Sequence, residues 1–160
     1  MMLKLICLSA VLLTSMAQSV SPQKSSPQGK REDWLDSLPA SQREAFSQRF
    51  ESVIGLREQG SWLELYQLRQ DVNGISKAQF VKRMNGLDAL IRFQPSSLFY
   101  VPPSHGWLIK GCARYRSKTR GEYAAPSSMR AYSVKGQWLF TELAVDVLKS
   151  PADAPSSCQS

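Results

Sequence analysis

Histidine is almost missing from this 160-residue chain, and with it most of the clusters on which site chemistry is built. The one imidazole, His105, lies among Pro103, Ser104 and Gly106, all turn formers, and is expected in an exposed loop. A single histidine cannot form the usual multi-histidine metal site. Neither Cys112 nor Cys158 has a close-spaced ligand partner, so no metal is expected. There is no G-x-S-x-G elbow, no phosphate-binding glycine loop and no cysteine beside a histidine. Asp71, Asn73 and Gly74 lack the spacing and the twelfth-position acid of a calcium loop and read as an ordinary turn. No cofactor is expected. Glycine, proline and charge sit near average usage and no heptad or short repeat occurs, which excludes collagen-like, coiled-coil and wholly disordered chains. The apolar stretch Leu5 to Leu13 is nine residues long, short of the roughly 20 that a membrane span requires.

That stretch follows Lys4 and precedes Thr14, Ser15, Met16 and Ala17. Charge, a short apolar run and small residues predict a secretory signal peptide over 1–17, cleaved after Ala17, and hence an exported protein, secreted or periplasmic. Cys7 would leave with the peptide, and 143 residues with a net charge of +6 would remain. An oxidising compartment allows Cys112 and Cys158 to form a bridge. The alternative is one thiol on a strand and one in a frayed tail, never meeting. Residues 18–33 and 149–160 are rich in serine and proline and read as a flexible leader and tail around one α+β domain at 34–148.

The first half of the domain carries helical signals. Ser41 with Glu44, Ser61 with Glu64 and Ser76 with Gln79 each fit a capping box. Helix one is predicted over 41–59, with Phe46, Phe50, Val53 and Ile54 on one stripe and Gly60 closing it. Helix two is predicted over 62–70 and helix three over 77–84, joined by a turn at 71–74. Alternation of apolar and polar residues then predicts a strand over 106–116, with Trp107, Ile109, Gly111, Ala113 and Tyr115 facing the core. Shorter strands are predicted at 89–93 and 97–101. A hairpin joins 129–134 to 137–147 around Lys135 and Gly136. A two-residue turn would pair Ser133 with Trp138, and a bulged turn would pair Tyr132 with Trp138; the choice exchanges the faces.

Three helices followed by a meandering antiparallel sheet of four or five strands make an α+β domain with the helices on one face of the sheet. The order of a long helix, a short helix with Trp62 and Tyr66, a third helix with Phe80, and strands ending in Gly136, Gln137, Trp138, Leu139 and Phe140 resembles the nuclear-transport-factor-2-like superfamily. The resemblance covers roughly residues 41–147. It implies a cone in which a curved sheet wraps the helices and leaves a pocket at its wide end. Enzymes of this kind use an aspartate, or an aspartate and a histidine, inside the cone. Members often dimerise through the outer sheet face, although the charge on the corresponding strand here argues against a tight homodimer.

Carboxylates are the remaining route to acid–base chemistry. Asp71, Asp88, Glu142 and Asp146 lie near element ends, and Glu142, sharing a strand face with Trp138 and Phe140, is the catalytic candidate. The competing expectation pairs it across strands with Arg114 or Arg130. Gly111 and Ala113, small within a core-facing row, mean either close helix packing or a cavity. A cavity would be walled by Trp62, Tyr66, Phe80, Tyr100 and Trp107. Charge is concentrated as well: seven basic residues lie between Lys110 and Lys135, against Glu122 alone. Lys110, Arg114, Arg116, Lys118 and Arg120 form a strand face and turn that could meet an anionic surface or polymer. Otherwise they form a solvated face kept from edge pairing by charge. Export, and the lack of aromatic interleaving beyond Tyr115 and Tyr123, argue against nucleic acid. The leading expectation is an exported, non-enzymatic binding or assembly module for an unidentified small molecule or protein. The alternatives are a small lyase or isomerase using Glu142, and an anionic-surface binder.

Overall fold

A computed structural model describes residues 33–70, 74–147 and 158. The expected leader and signal peptide, most of the tail and the turn residues Asp71 to Asn73 lie outside the described residues.

Of the three capping boxes, one forms. Ser76 opens α3 (Lys77–Asn85): its Oγ accepts from Gln79 N at 3.3 Å, and Gln79 Oε1 accepts from Ser76 N at 2.8 Å. Ser61 precedes α2 (Trp62–Leu68) without a side-chain cap. Ser41 falls inside α1 (Ala40–Gln59), which starts behind Pro39. Proline has already fixed φ there, at −54°, so the helix starts one residue before the serine. At the other end of α1, Gly60 takes φ +71° and Ser61 N donates back to Leu56 O at 2.9 Å, closing the helix as its glycine predicts.

Phe46, Phe50, Val53 and Ile54 are buried against the sheet, as their stripe requires. Phe46 lies edge-on to Trp138 (centroids 4.9 Å) and 5.5 Å from Phe140, while Phe50 packs on Phe93 at 6.1 Å. This aromatic cluster is the glue between α1 and the sheet.

The sheet is antiparallel, curved and five-stranded: β1 (Ala89–Val101), β2 (Gly106–Ser117), β3 (Gly121–Val134) and β4 (Gln137–Phe140) lie side by side in that order, and β5 (Ala144–Val145) also pairs with β3. The two strands expected at 89–93 and 97–101 are one, running straight through Pro95. Proline is tolerated there because β1 is an edge strand and its register shifts at that point, between Pro95 and Ser97. The shift also explains Gly111. It faces neither a helix nor a void: a Cβ there would stand 2.8 Å from Pro95 Cα, so glycine is required by the bulging neighbour strand.

β2 alternates as predicted, with Ile109, Ala113 and Tyr115 buried and Lys110, Arg114 and Arg116 exposed. Cys112 is the exception on the outer face: it is buried and disulfide-bonded to Cys158, with Cα atoms 5.3 Å apart. β3 starts eight residues earlier than the expected Met129, because residues 121–128 pair one by one with β2 despite their alanines, serines and proline. The hairpin takes the two-residue turn. Ser133 pairs with Trp138, and Lys135 (φ +50°) and Gly136 (φ +78°) both occupy the left-handed region. β4 stops at Phe140, short of the expected Val147. Beyond it, Gln70 N donates to Phe140 O at 2.8 Å, so the chain following α2 lies along the free side of β4.

Candidate functional site

Where α1, α3 and the chain after α2 meet β2, β3 and the segment that follows β4, the packing leaves a cleft of about 400 Å³. Its walls come from every layer: Arg57 of α1, Arg83 of α3, Tyr115 of β2, Tyr123 of β3 and the segment Thr141 to Val145. Below it, and sharing Arg57, Arg69, Thr141, Glu142 and Leu143 with it, is a small cavity of about 20 Å³ floored by Val53, Ile54, Leu65, Phe80, Met84 and Phe140. An apolar floor beneath a polar rim is the usual build of a small-molecule site.

The acids of the rim are engaged. Glu142, with its side chain 21% exposed, borders both cleft and cavity, and its Oε2 lies 3.0 Å from Arg83 Nη2. Its partner is thus a helix arginine and not Arg114 or Arg130, because β4 has already ended and the chain at Thr141 to Leu143 turns inward toward α3. Asp88 accepts a hydrogen bond from the Tyr123 hydroxyl at 2.7 Å and lies 3.8 Å from Arg120 Nη2. Tyr115 is buried with its hydroxyl 3.0 Å from Ser127 Oγ, and Ser127 Oγ in turn lies 3.1 Å from Ala125 O. Burial raises the Tyr115 pKa above the ordinary tyrosine value, against the smaller opposing effects of the Ser127 hydrogen bond and the Arg57 charge. Tyr123 is raised too, by burial first and by its hydrogen bond to Asp88 next.

The bases are of two kinds. Arg69 lies over the rings of Tyr66 and Phe80, 4.5 and 5.3 Å from their centroids, and donates to Ile75 O at 3.1 Å. Arg57 is 4% exposed, and its guanidinium lies 4.9 Å from the Trp62 ring centroid. Desolvation lowers its pKa below the usual arginine value, with Tyr115 and Glu142 acting in the opposite direction.

Of the aromatic residues expected as pocket wall, Phe80 alone lines this site. Trp62 and Tyr66 stand one layer behind, carrying Arg57 and Arg69 on their faces. Tyr100 and Trp107 form an edge-on pair at the far end of the first hairpin, 5.3 Å between centroids, beside the exposed His105. Their position follows from β1 being one long strand, which carries Tyr100 well away from Leu90. Sequence reasoning missed Arg57 as a site residue. The signal was present: Arg57 falls on the same stripe as Phe50, Val53 and Ile54, where a charged residue has no bland explanation.

On the outer face, the basic residues are not equally available. Arg116 is paired with Glu122 at 2.7 Å, and Arg120 lies over Tyr123 and near Asp88. Lys110 and Arg114 are exposed, with Arg92 directly across from Arg114 on β1. Among the described residues no group of histidine, cysteine, aspartate and glutamate has metal-binding geometry, and no helix is long and apolar enough to cross a membrane.

Comparison with known proteins gives no match, neither to a protein-family model nor to a curated protein sequence. What is established is therefore architectural: an α+β domain with a disulfide and a cleft between its helices and its curved sheet.

Proposed function

We propose that this protein is a binding module that holds a small molecule in the cleft between its helices and sheet without transforming it. The observation that carries the reading is the cleft itself, about 400 Å³ with an apolar floor below and polar groups of two helices, two strands and the segments after α2 and β4 at its rim. The rim acids each have a partner, which suits orientation of a ligand better than proton transfer to it. Thermal unfolding against a library of small amphipathic compounds tests this. Ligands that raise the midpoint of the wild-type protein lose their effect in Ala144→Trp, which fills the cleft from β5. Shifts that all survive in Ala144→Trp would place binding elsewhere and end the proposal.

Glu142 bordering both cleft and cavity favours one second reading, an isomerase or lyase with that carboxylate as acid or base. Turnover of a bound compound that disappears in Glu142→Gln would establish it. The paired state of Arg116 and Arg120 leaves Lys110, Arg114 and the exposed Lys118 as the main support for an anionic-surface role. Heparin retention unchanged in Arg114→Glu would remove that support.

The order of helices and strands supports membership of the nuclear-transport-factor-2-like superfamily, and the disulfide supports an oxidising compartment reached by export with cleavage after Ala17. Mass spectrometry of the mature protein recovered from its producing cells checks the cleavage: the chain should begin at Gln18.

A further inference from the structure

We propose that the Arg57 guanidinium is an anion receptor in the wall of the cleft, and that the ligand is a small monocarboxylate with an apolar body. This rests on the cleft being a ligand site and adds the chemistry of what it holds.

Arg57 lines both the cleft and the cavity yet is only 4% exposed, and its Nε and Nη1 have no hydrogen-bond partner among the described residues. Among the described residues its one side-chain hydrogen bond runs from Nη2 to Asp88 O, at 3.4 Å. No ion pair among the described residues includes it. A cation taken out of water without a counter-charge is strongly disfavoured, and such a group persists where something else requires it. The surroundings hold it in place. Its face lies on Trp62, whose indole nitrogen donates to Asn85 Oδ1 at 2.6 Å, so the stack is itself anchored to α3. The neighbouring acids make no ion pair with it: Glu142 acts on it through space but pairs with Arg83, and Asp88 is engaged by Tyr123 and Arg120.

A guanidinium with two N–H groups unpaired and only a through-space carboxylate calls for one further negative charge. A carboxylate supplies two acceptor oxygens in a plane that matches the guanidinium, whereas a phosphate dianion would bring its second charge against Glu142. The cleft lining also includes Leu87, Leu143, Ala144 and Val145, an apolar surface for the rest of the ligand. The lowered proton affinity of Arg57 agrees with a site that is under-compensated until the anion arrives.

Octanoate, octan-1-ol and inorganic phosphate, each titrated into the oxidised full chain by calorimetry at constant ionic strength, test the proposal. Octanoate should bind one to one, about tenfold or more tighter than octan-1-ol, as a charge-assisted hydrogen bond demands, and phosphate should not compete. In Arg57→Met the preference for octanoate should vanish while the alcohol still binds. The Arg57 Nε–H resonance of the wild-type protein should shift on adding octanoate and not on adding octan-1-ol, which gives a readout independent of whether Arg57→Met folds. Equal binding of acid and alcohol with an unmoved Arg57 resonance overturns the anion receptor and leaves the cleft as a ligand site. No binding of either overturns the proposal, and the cleft reading then rests on the compound library and Ala144→Trp alone.

Discussion

At the scale of single residues, two glycines and one arginine carry most of the information. Gly111 tolerates no side chain because β1 bulges over it, so Gly111→Ala should destabilise by about 1–3 kcal/mol through overpacking. Gly55 lies within α1 with nothing within 4 Å of an added Cβ, and Gly55→Ala should stabilise by about 0.5–1 kcal/mol. Chemical denaturation of the two variants side by side checks both signs. Sequence alone flags Gly111 as a small residue in a core row but assigns the wrong neighbour to it. The cause, a register shift in the adjacent strand, is a pairing property that no single-strand pattern contains. Arg57 was legible in a different sense: its place on an apolar stripe was visible, while its lack of a counter-charge depends on where Glu142 and Asp88 find their partners.

At the scale of elements, local signals succeed where local physics decides and fail where pairing does. The capping box at Ser76 forms as its residues dictate, and Ser76→Ala should cost about 1 kcal/mol. The same change at Ser61 or Ser41, which cap nothing through their side chains, should cost a few tenths at most. Urea midpoints of the three variants separate the cases. The hairpin turn was legible to within two registers from Lys135 and Gly136, and two positive φ values select between them. By contrast β1 and β3 extend through Pro95 and Pro126, because a partner strand's ladder outweighs the weak propensity of those segments. That error displaced Tyr100 and Trp107 into the expected pocket wall, and the ending of β4 at Phe140 moved Glu142 from a cross-strand position to the cleft rim.

At the scale of the whole molecule, the disulfide, the proton balance and the sheet edges set its behaviour. The Cys112–Cys158 bond spans 46 residues, and reduction should lower stability by about 4 kcal/mol in the chain-entropy picture. Denaturation with and without reductant measures this, and Cys158→Ser should match the reduced protein. Tyr115 and Tyr123 have raised pKa values, so above roughly pH 10 the unfolded chain gives up protons that the folded protein still holds. The stability they contribute is complete below that pH and falls as pH climbs through their folded values. A melting-temperature series at alkaline pH should show this decline, made shallower by Tyr115→Phe. The two borders of the sheet differ in kind. β4 is covered at Phe140 by the backbone of Arg69 and Gln70, whereas β1 has no second strand partner among the described residues and is interrupted by two register shifts and Pro95, with Phe99 and Tyr100 exposed near its end. Those interruptions spoil β1 as a template for a second copy of the same strand. Pro95→Val would straighten the template, and the molecule would then be expected to lose solubility through sheet-to-sheet growth before it lost its fold.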